Sequence, residues 1–129
     1  MSESEPPADA GTPRALVADD DPDIGRILRV FLTRLGFEVE VVRDGEAALA
    51  AIDRQPPCVL FTDYQMPRLG GLETLTSVKA RHPEVRVVVV TAQSADEVVR
   101  KLTEAGADAY VEKPFTFARI AEACGRPVG

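Results

Sequence analysis

The 129-residue sequence has little cysteine and histidine, with two residues of the first type and one of the second. Cys58 and Cys124 lie in no CxxC or Cys/His pattern, which argues against a zinc or disulfide-exchange site. We expect two buried free thiols, and the sequence alone leaves a bridge between them open. His82 precedes Pro83 in a context that ends helices, so we expect it in a surface loop rather than at a metal or phosphocarrier site.

Long apolar runs and an excess of positive charge are also missing. No apolar stretch reaches the roughly 20 residues that span a bilayer. The start, Met1–Glu5, is acidic and has no apolar segment, which is unlike a signal peptide. The net charge of −6 argues against sequence-independent nucleic-acid binding, which needs clustered Lys and Arg. We therefore expect a cytoplasmic protein with neither nucleic acid nor membrane as a direct partner.

The length and the hydrophobic content of 45% suit one globular domain. Residues 1–13 are acidic and Pro-rich, and they are predicted to form a disordered tail. Residues 14–124 are predicted to form the domain, and residues 125–129 a short C-terminal tail.

Within the predicted domain, short apolar runs alternate with amphipathic stretches. Asp21 followed by Pro22 predicts the start of the first helix, and Gly36 predicts its end. Five such strand–helix units predict a parallel sheet with helices on both faces. The last helix starts near Thr116 and has little more than two turns before Gly125, which is short for a helix. The predicted inward stripe of the first helix is Ile24, Ile27, Leu28, Phe31, Leu32 and Leu35.

Four of the apolar runs end in residues that are able to do chemistry. Asp19 and Asp20 follow the first run, and Asp63 ends the third. Thr91 ends the fourth run, and Lys113 follows the fifth. Because the carboxyl ends of parallel strands lie along one edge of the sheet, where open α/β sheets bind ligands, we expect these side chains to converge.

Three carboxylates that lie close together repel one another unless a cation is present. Magnesium prefers oxygen ligands and commonly binds through one or two carboxylates plus phosphate oxygens. Helix-start placement is an alternative for Asp19 and Asp20, but Asp63 precedes a loop, not a helix. Lys113 could pair with Asp63 or with a phosphoryl group attached to Asp63. Thr91, taken by itself, is explained as the last residue of a buried strand, because Thr is common in strands.

The strand ends carry four motifs, Val17–Pro22, Thr62–Pro67, Val90–Ala92 and Lys113–Phe115. Together these motifs resemble those of the receiver domains of two-component response regulators, the chemotaxis regulators among them. The resemblance covers about residues 14–124. It implies an α/β fold, a flavodoxin-like doubly wound sheet of five parallel strands in the order 2-1-3-4-5 with five helices, the last one short.

The resemblance also implies the roles of the strand-end residues. Asp63 would be the phosphoacceptor and would form an aspartyl phosphate. Asp20 and Asp63 would hold Mg2+ with the backbone carbonyl of Gln65, and Asp19 would act mainly through a metal-bound water. Lys113 would contact the phosphoryl oxygens.

Further roles follow from the same resemblance. Thr91 would donate its hydroxyl to the phosphoryl group, and Tyr110 would move inward in concert. Ala92, which is small, would leave access to the phosphate. Gln65 and Gln93 would tune dephosphorylation. The resemblance also implies that the Lys113–Pro114 bond is cis.

In function, the resemblance implies a phosphorelay switch rather than a dedicated enzyme. It would take phosphate from a sensor histidine kinase or a histidine phosphotransfer protein, and it would act on a downstream protein as a monomer or weak homodimer. A receiver-like module that acts by protein contact alone remains an alternative. An aspartyl-nucleophile phosphatase is disfavoured because Gln65 stands where that class needs an acid.

Two departures from the family pattern affect this interpretation. Gly70 stands where an Asp is usual before Gly71, which predicts a looser loop after Asp63 and puts the start of the third helix in question. The short last helix predicts a reduced output and dimer face.

Overall fold

The computed structural model describes residues 11–92 and 95–125, in which five strands alternate with five helices. Of the predicted segments, residues 1–10 and 126–129 lie outside the described residues. Within the described ranges, no helix is both long and apolar enough to cross a membrane. The strands are β1 Arg14–Ala18, β2 Glu38–Val42, β3 Val59–Asp63, β4 Arg86–Thr91 and β5 Ala109–Glu112. The helices are α1 Pro22–Arg34, α2 Gly45–Arg54, α3 Gly71–Arg81, α4 Asp96–Glu104 and α5 Phe117–Ala123.

The strands form one parallel sheet in the order β2-β1-β3-β4-β5, which confirms the predicted fold class. In the register, Ala18 pairs with Thr62, and Asp63 pairs with Val90. These pairings bring the ends of β1, β3 and β4 to one edge of the sheet.

The core has two layers, one on each face of the sheet. Alternate residues of the central strands enter the two layers, so that Phe61 packs on one face and Leu60 on the other. Helices α1 and α5 cover the first face, and α2, α3 and α4 cover the second. Strands β3 and β4 are almost entirely buried, as expected for a parallel sheet covered on both faces.

Helix α1 begins and ends as predicted, but one residue of its predicted stripe is misplaced. The Asp21 carboxylate accepts the N–H of Asp23, and Gly36 follows the helix with φ 98°. Ile27 is 41% exposed rather than inward. The buried face instead includes Gly25, where an added Cβ would lie 3.1 Å from Val41 Cγ1, so α1 approaches β2 closely on that side.

The cysteines and the histidine depart in part from expectation. Both thiols are free and Cys124 is buried, but Cys58 is exposed, which corrects its prediction as buried. Cys58 directly precedes β3, and its backbone joins the sheet by donating to the Arg14 carbonyl and accepting the N–H of Arg86, while the residue is exposed. His82 follows α3, and its Nε2 lies 2.8 Å from Oδ1 of Asp53. Its side chain is 19% exposed.

Helix α5 has seven residues, which confirms that the last helix is short. The Thr116 hydroxyl caps it by accepting the N–H of Arg119. The Phe117 ring meets the Phe31 ring of α1 edge-on at 5.4 Å between centroids. At the other end, Arg86 Nε donates to the carbonyl of Ala123 at 2.8 Å.

Candidate functional site

Three aspartates converge at the carboxyl edge of the sheet, as the strand-end pattern predicts. Asp19 and Asp20 follow β1, and Asp63 is the last residue of β3. One oxygen from each of the three lies within 4.8 Å of the others, and we call these carboxylates the acid cluster. Asp19 and Asp63 are 2% and 9% exposed, whereas Asp20 is exposed.

The Asp19 side chain is fixed on one side and unsatisfied on the other. Its Oδ1 accepts the N–H of Asp21 at 2.9 Å, and its own N–H donates to the Val42 carbonyl at 3.1 Å. Its Oδ2 is buried and has no hydrogen-bond partner within the described part of the chain. Burial raises the pKa of Asp19 to about 6, and the charge of Asp63 adds to the increase.

Asp63 lies between groups that disfavour its charge and groups that favour it. Burial raises the pKa of Asp63, while the nearby Lys113 ammonium and the N–H of Gln65 act in the opposite direction. Lys113 Nζ lies 3.4 Å from Asp63 Oδ1 and 3.7 Å from Asp19 Oδ2. The Lys113 ammonium therefore forms ion pairs with two buried carboxylates.

The acid cluster fits a hard divalent cation. All three side chains offer oxygen, which Mg2+ prefers. Buried oxygens of native proteins normally have a hydrogen-bond partner, so the unsatisfied Oδ2 of Asp19 needs an explanation that a hydrated cation would supply. Lys113 alone leaves the cluster with more negative than positive charge.

A cavity of about 640 Å³ opens beside the acid cluster. Thr91 is 1% exposed, and its carbonyl accepts the N–H of Lys113 at 2.8 Å, which joins two of the lining residues. Tyr64 and Met66 also line the cavity, and the strand-end argument did not single them out. Their positions in the sequence between Asp63 and Pro67 could have indicated that they lie at the cavity. The predicted site residues in the lining are Asp20, Asp63, Gln65, Thr91, Ala92 and Lys113.

Among the described residues, two predicted site residues do not line the cavity: Asp19, whose carboxylate belongs to the acid cluster, and Tyr110. Tyr110 is half-buried on the sheet face that α2, α3 and α4 cover, and it pairs with Val89 in the register. Its carbonyl accepts Nη2 of Arg119 at 2.6 Å. Gln93 lies outside the described residues. The Lys113–Pro114 bond is cis, as the resemblance implied.

The loop after Asp63 is closely packed rather than loose. A Cβ at Gly71 would lie 2.3 Å from the carbonyl oxygen of Asp63 and 2.7 Å from Tyr64 Cα, so only glycine fits there. Gly70 is the N-cap of α3, and no side-chain hydrogen bond caps the helix. The two glycines allow α3 to start against the end of β3.

Comparison with known proteins gives consistent matches. The family model described as the response regulator receiver domain matches residues 15–124. The transcriptional regulatory protein QseB of Haemophilus influenzae is 39% identical over 109 residues, which cover 84% of this chain and 49% of QseB. The chain spans about half the length of such curated relatives.

Solved structures match in the same region. The receiver domain of NtrX from Brucella abortus is 32% identical, with a TM-score of 0.79, and the match covers 88% of this chain and 99% of that one. The chemotaxis response regulator CheY4 of Vibrio cholerae has a TM-score of 0.83 at 24% identity, covers 88% and 97% of the two chains, and shows likeness of fold.

Proposed function

The chain belongs to the response regulator receiver domain family of two-component systems, and from that membership we propose that Asp63 accepts a phosphoryl group. The observation that carries the proposal is the acid cluster, in which a buried carboxylate lies 3.4 Å from an ammonium beside an open cavity. Receiver domains are signalling domains rather than dedicated enzymes, so the chemistry proposed here is self-catalysed. We assign residues 14–124 to the receiver and residues 1–13 and 125–129 to tails.

The phosphoryl donor would be a phosphohistidine on a sensor histidine kinase or a histidine phosphotransfer protein. An Asp63 oxygen attacks phosphorus, an O–P bond forms, and the P–N bond breaks. The electron pair of the broken bond returns to the imidazole, which leaves neutral when its other ring nitrogen carries a proton. Such transfers depend mainly on positioning and charge neutralisation. We expect the exchange to take place in the cytoplasm.

Asp20 and Asp63 are the proposed ligands of Mg2+, with the backbone carbonyl of Gln65, while Asp19 acts mainly through a metal-bound water. The unsatisfied Asp19 Oδ2 and the raised pKa values of Asp19 and Asp63 support this assignment. When bound, the ion neutralises charge on the carboxylates and the phosphoryl oxygens.

The remaining lining residues would act on the phosphoryl group itself. Lys113 holds its ammonium beside Asp63 and would contact the phosphoryl oxygens. Thr91 would donate its hydroxyl to them from the end of β4. Ala92 leaves the approach open because its side chain is small. Gln65 and Gln93 would tune the rate at which water removes the phosphate.

The response would then pass to the surface of α4, β5 and α5. Once Thr91 bonds to the phosphoryl group, Tyr110 would move inward from its half-buried position. A downstream protein would read the altered surface. The short α5 reduces that surface, which supports a monomer or weak homodimer.

The test is phosphoryl uptake by the full chain. Incubation with acetyl phosphate and Mg2+ should add one phosphoryl group by intact-mass analysis. Asp63→Asn should show no uptake, whereas Asp53→Asn, which changes an exposed aspartate that pairs with His82, should behave as wild type. Uptake that persists in Asp63→Asn would contradict the proposal. Absence of both uptake and Mg2+ binding in wild type would favour a module that acts by protein contact alone.

A further inference from the structure

The loop of residues 64–70 carries two backbone groups that the proposed function uses. The N–H of Gln65 bonds to the Asp63 carboxylate, and the Gln65 carbonyl is the proposed metal ligand. Met66 and Pro67 continue the loop along the cavity wall. The position of this loop therefore sets the geometry at the acid cluster.

The loop has an unfavourable backbone conformation at one position. Arg68 has φ 71°, and among the described residues it is the only non-glycine with a positive φ. Such values are disfavoured for residues that have a Cβ. Leu69 N–H donates to the Pro67 carbonyl at 2.7 Å, and Gly71 N–H donates to the Tyr64 carbonyl at 2.9 Å. The first of these bonds closes a three-residue turn around Arg68, and interactions from outside the loop add to it.

The start of α2 supplies such interactions. A Cβ at Gly45 would lie 2.4 Å from the carbonyl oxygen of Leu69, so the loop packs directly on the first turn of α2. Arg68 Nε lies 3.5 Å from Asp44 Oδ2. The other oxygen, Oδ1, accepts the N–H of Ala47 at 2.7 Å. The Asp44 carboxylate therefore holds the N-terminus of α2 and the loop together.

Helix α3 contacts the other end of the loop through a neutral hydrogen bond rather than an ion pair, since the Thr74 hydroxyl donates to the Gly70 carbonyl at 2.8 Å. Gly70 is its N-cap and has no side chain to bond the exposed N–H groups. The Arg68 side chain is 67% exposed and that of Asp44 is 19% exposed, so the arginine lies at the surface and the aspartate is the more buried partner.

We propose that Arg68 and Asp44 are positioning residues, whose ion pair anchors the 64–70 loop to α2 and so holds the Gln65 backbone at the acid cluster. The part of this proposal that concerns Mg2+ rests on the proposed function. Exposed ion pairs contribute little, so the effect of breaking this one should be a few-fold change in Mg2+ affinity rather than its loss.

The Arg68→Met variant separates positioning from simple electrostatics. Removal of a positive charge near the acid cluster would by itself strengthen Mg2+ binding. Loss of the anchor should instead weaken it about three- to fivefold. Asp44→Asn retains an oxygen that can accept the Ala47 N–H, and it should weaken binding by a similar factor. The double variant should bind Mg2+ no more weakly than the weaker-binding single variant, because both changes break the same interaction.

Amide NMR spectra of 15N-labelled full chain during titration with Mg2+ alone give both readouts. The first is the Mg2+ Kd, and the second is the shift of the Gln65 amide before metal is added, which both single variants should change. Arg26→Met is the control, because Arg26 is as exposed as Arg68 and forms an ion pair with Asp23 on α1, away from the loop. Arg26→Met should leave the chemical shift of the Gln65 amide unchanged, and it should bind Mg2+ as tightly as wild type or more tightly.

Equal or tighter binding by Arg68→Met, or additive losses in the double variant, would overturn the proposal. If wild type bound no Mg2+, the proposed function would fail, and the metal-free Gln65 shift would still decide whether the ion pair positions the loop. An unchanged chemical shift of the Gln65 amide in both single variants would then show that the ion pair does not position the loop.

Discussion

The Asp19 carboxylate is stabilised at one oxygen and left unsatisfied at the other. Oδ1 accepts a backbone N–H, while Oδ2 is buried and has no hydrogen-bond partner in the described part of the chain. The Lys113 ammonium, 3.7 Å away, does not offset the burial, since the pKa of Asp19 is raised to about 6. In the absence of metal, the charged form of this residue therefore destabilises the fold.

At the residue scale we predict that Asp19→Asn stabilises the metal-free protein at pH 7.5. The folded pKa of Asp19, about 6, lies above its ordinary value of 3.8, so the folded state binds more protons between these values, and stability falls as pH rises through them. The stability difference between variant and wild type should therefore shrink towards pH 5, where wild-type Asp19 is mostly protonated. Urea unfolding in EDTA at both pH values measures it.

The raised pKa of Asp63 gives a trend of the same sign in both proteins, and this trend should be smaller in the variant, because the charge of Asp19 no longer acts on Asp63. A variant less stable than wild type at pH 7.5, or a difference that does not depend on pH, would contradict the prediction. The same variant should bind Mg2+ more weakly, since it loses a carboxylate of the acid cluster.

At the scale of elements, the junction of β3 with α3 depends on a close backbone contact at Gly71. We predict that Gly71→Ala destabilises the protein by about 1–3 kcal/mol, because its Cβ would meet backbone atoms that no side-chain rotation can move. Gly25→Ala is the control, since its Cβ meets the movable side chain of Val41 and alanine favours a helix interior. Chemical denaturation should place Gly25→Ala within about 1 kcal/mol of wild type. Equal losses in the two variants would argue against the contact.

Helix α5 is short, and Arg86 of β4 bonds to the carbonyl at its end. We predict that Arg86→Met lowers the free energy of unfolding by an amount on the order of 1 kcal/mol and speeds amide exchange at Ile120 and Cys124. Arg81→Met, which removes an exposed ion pair with Asp53, is the control and should leave exchange in α5 unchanged. Unchanged exchange in Arg86→Met would show that other contacts hold the helix.

The elements that the sequence predicts best are those with local signals. The first helix begins and ends where Asp21, Pro22 and Gly36 indicate, because capping depends on adjacent residues. Ile27 was misplaced because helical periodicity does not report how closely α1 approaches β2 at Gly25. Cys58 was misplaced because a place at the start of an apolar run does not show whether another element covers the side chain.

The site shows the same division between local and long-range information. The acid cluster could be predicted because parallel strands bring their carboxyl ends to one edge. The contact of Arg68 with Asp44 could not be predicted, because it joins two loops that are brought together by packing at Gly45. No local pattern reports such an approach.

At the scale of the whole molecule, the acid cluster concentrates negative charge in a chain of net charge −6. We predict that Mg2+ at about ten times its Kd stabilises wild type by about 1.4 kcal/mol and raises Tm by several degrees. Asp20→Asn should lose most of this shift while melting like wild type in EDTA, since Asp20 is exposed. NaCl at matched ionic strength is the control. An equal shift from NaCl, or an undiminished Mg2+ shift in Asp20→Asn, would contradict a specific site.

The order in which the strands supply the site has a consequence for its biosynthesis. Asp19 and Asp20 leave the ribosome before Asp63, and Lys113 follows only with the last strand. A nascent chain that stops before β5 therefore has all three carboxylates but lacks the ammonium that pairs with two of them. Only a chain translated through Lys113 can assemble the complete charge arrangement, so premature termination yields fragments that lack it.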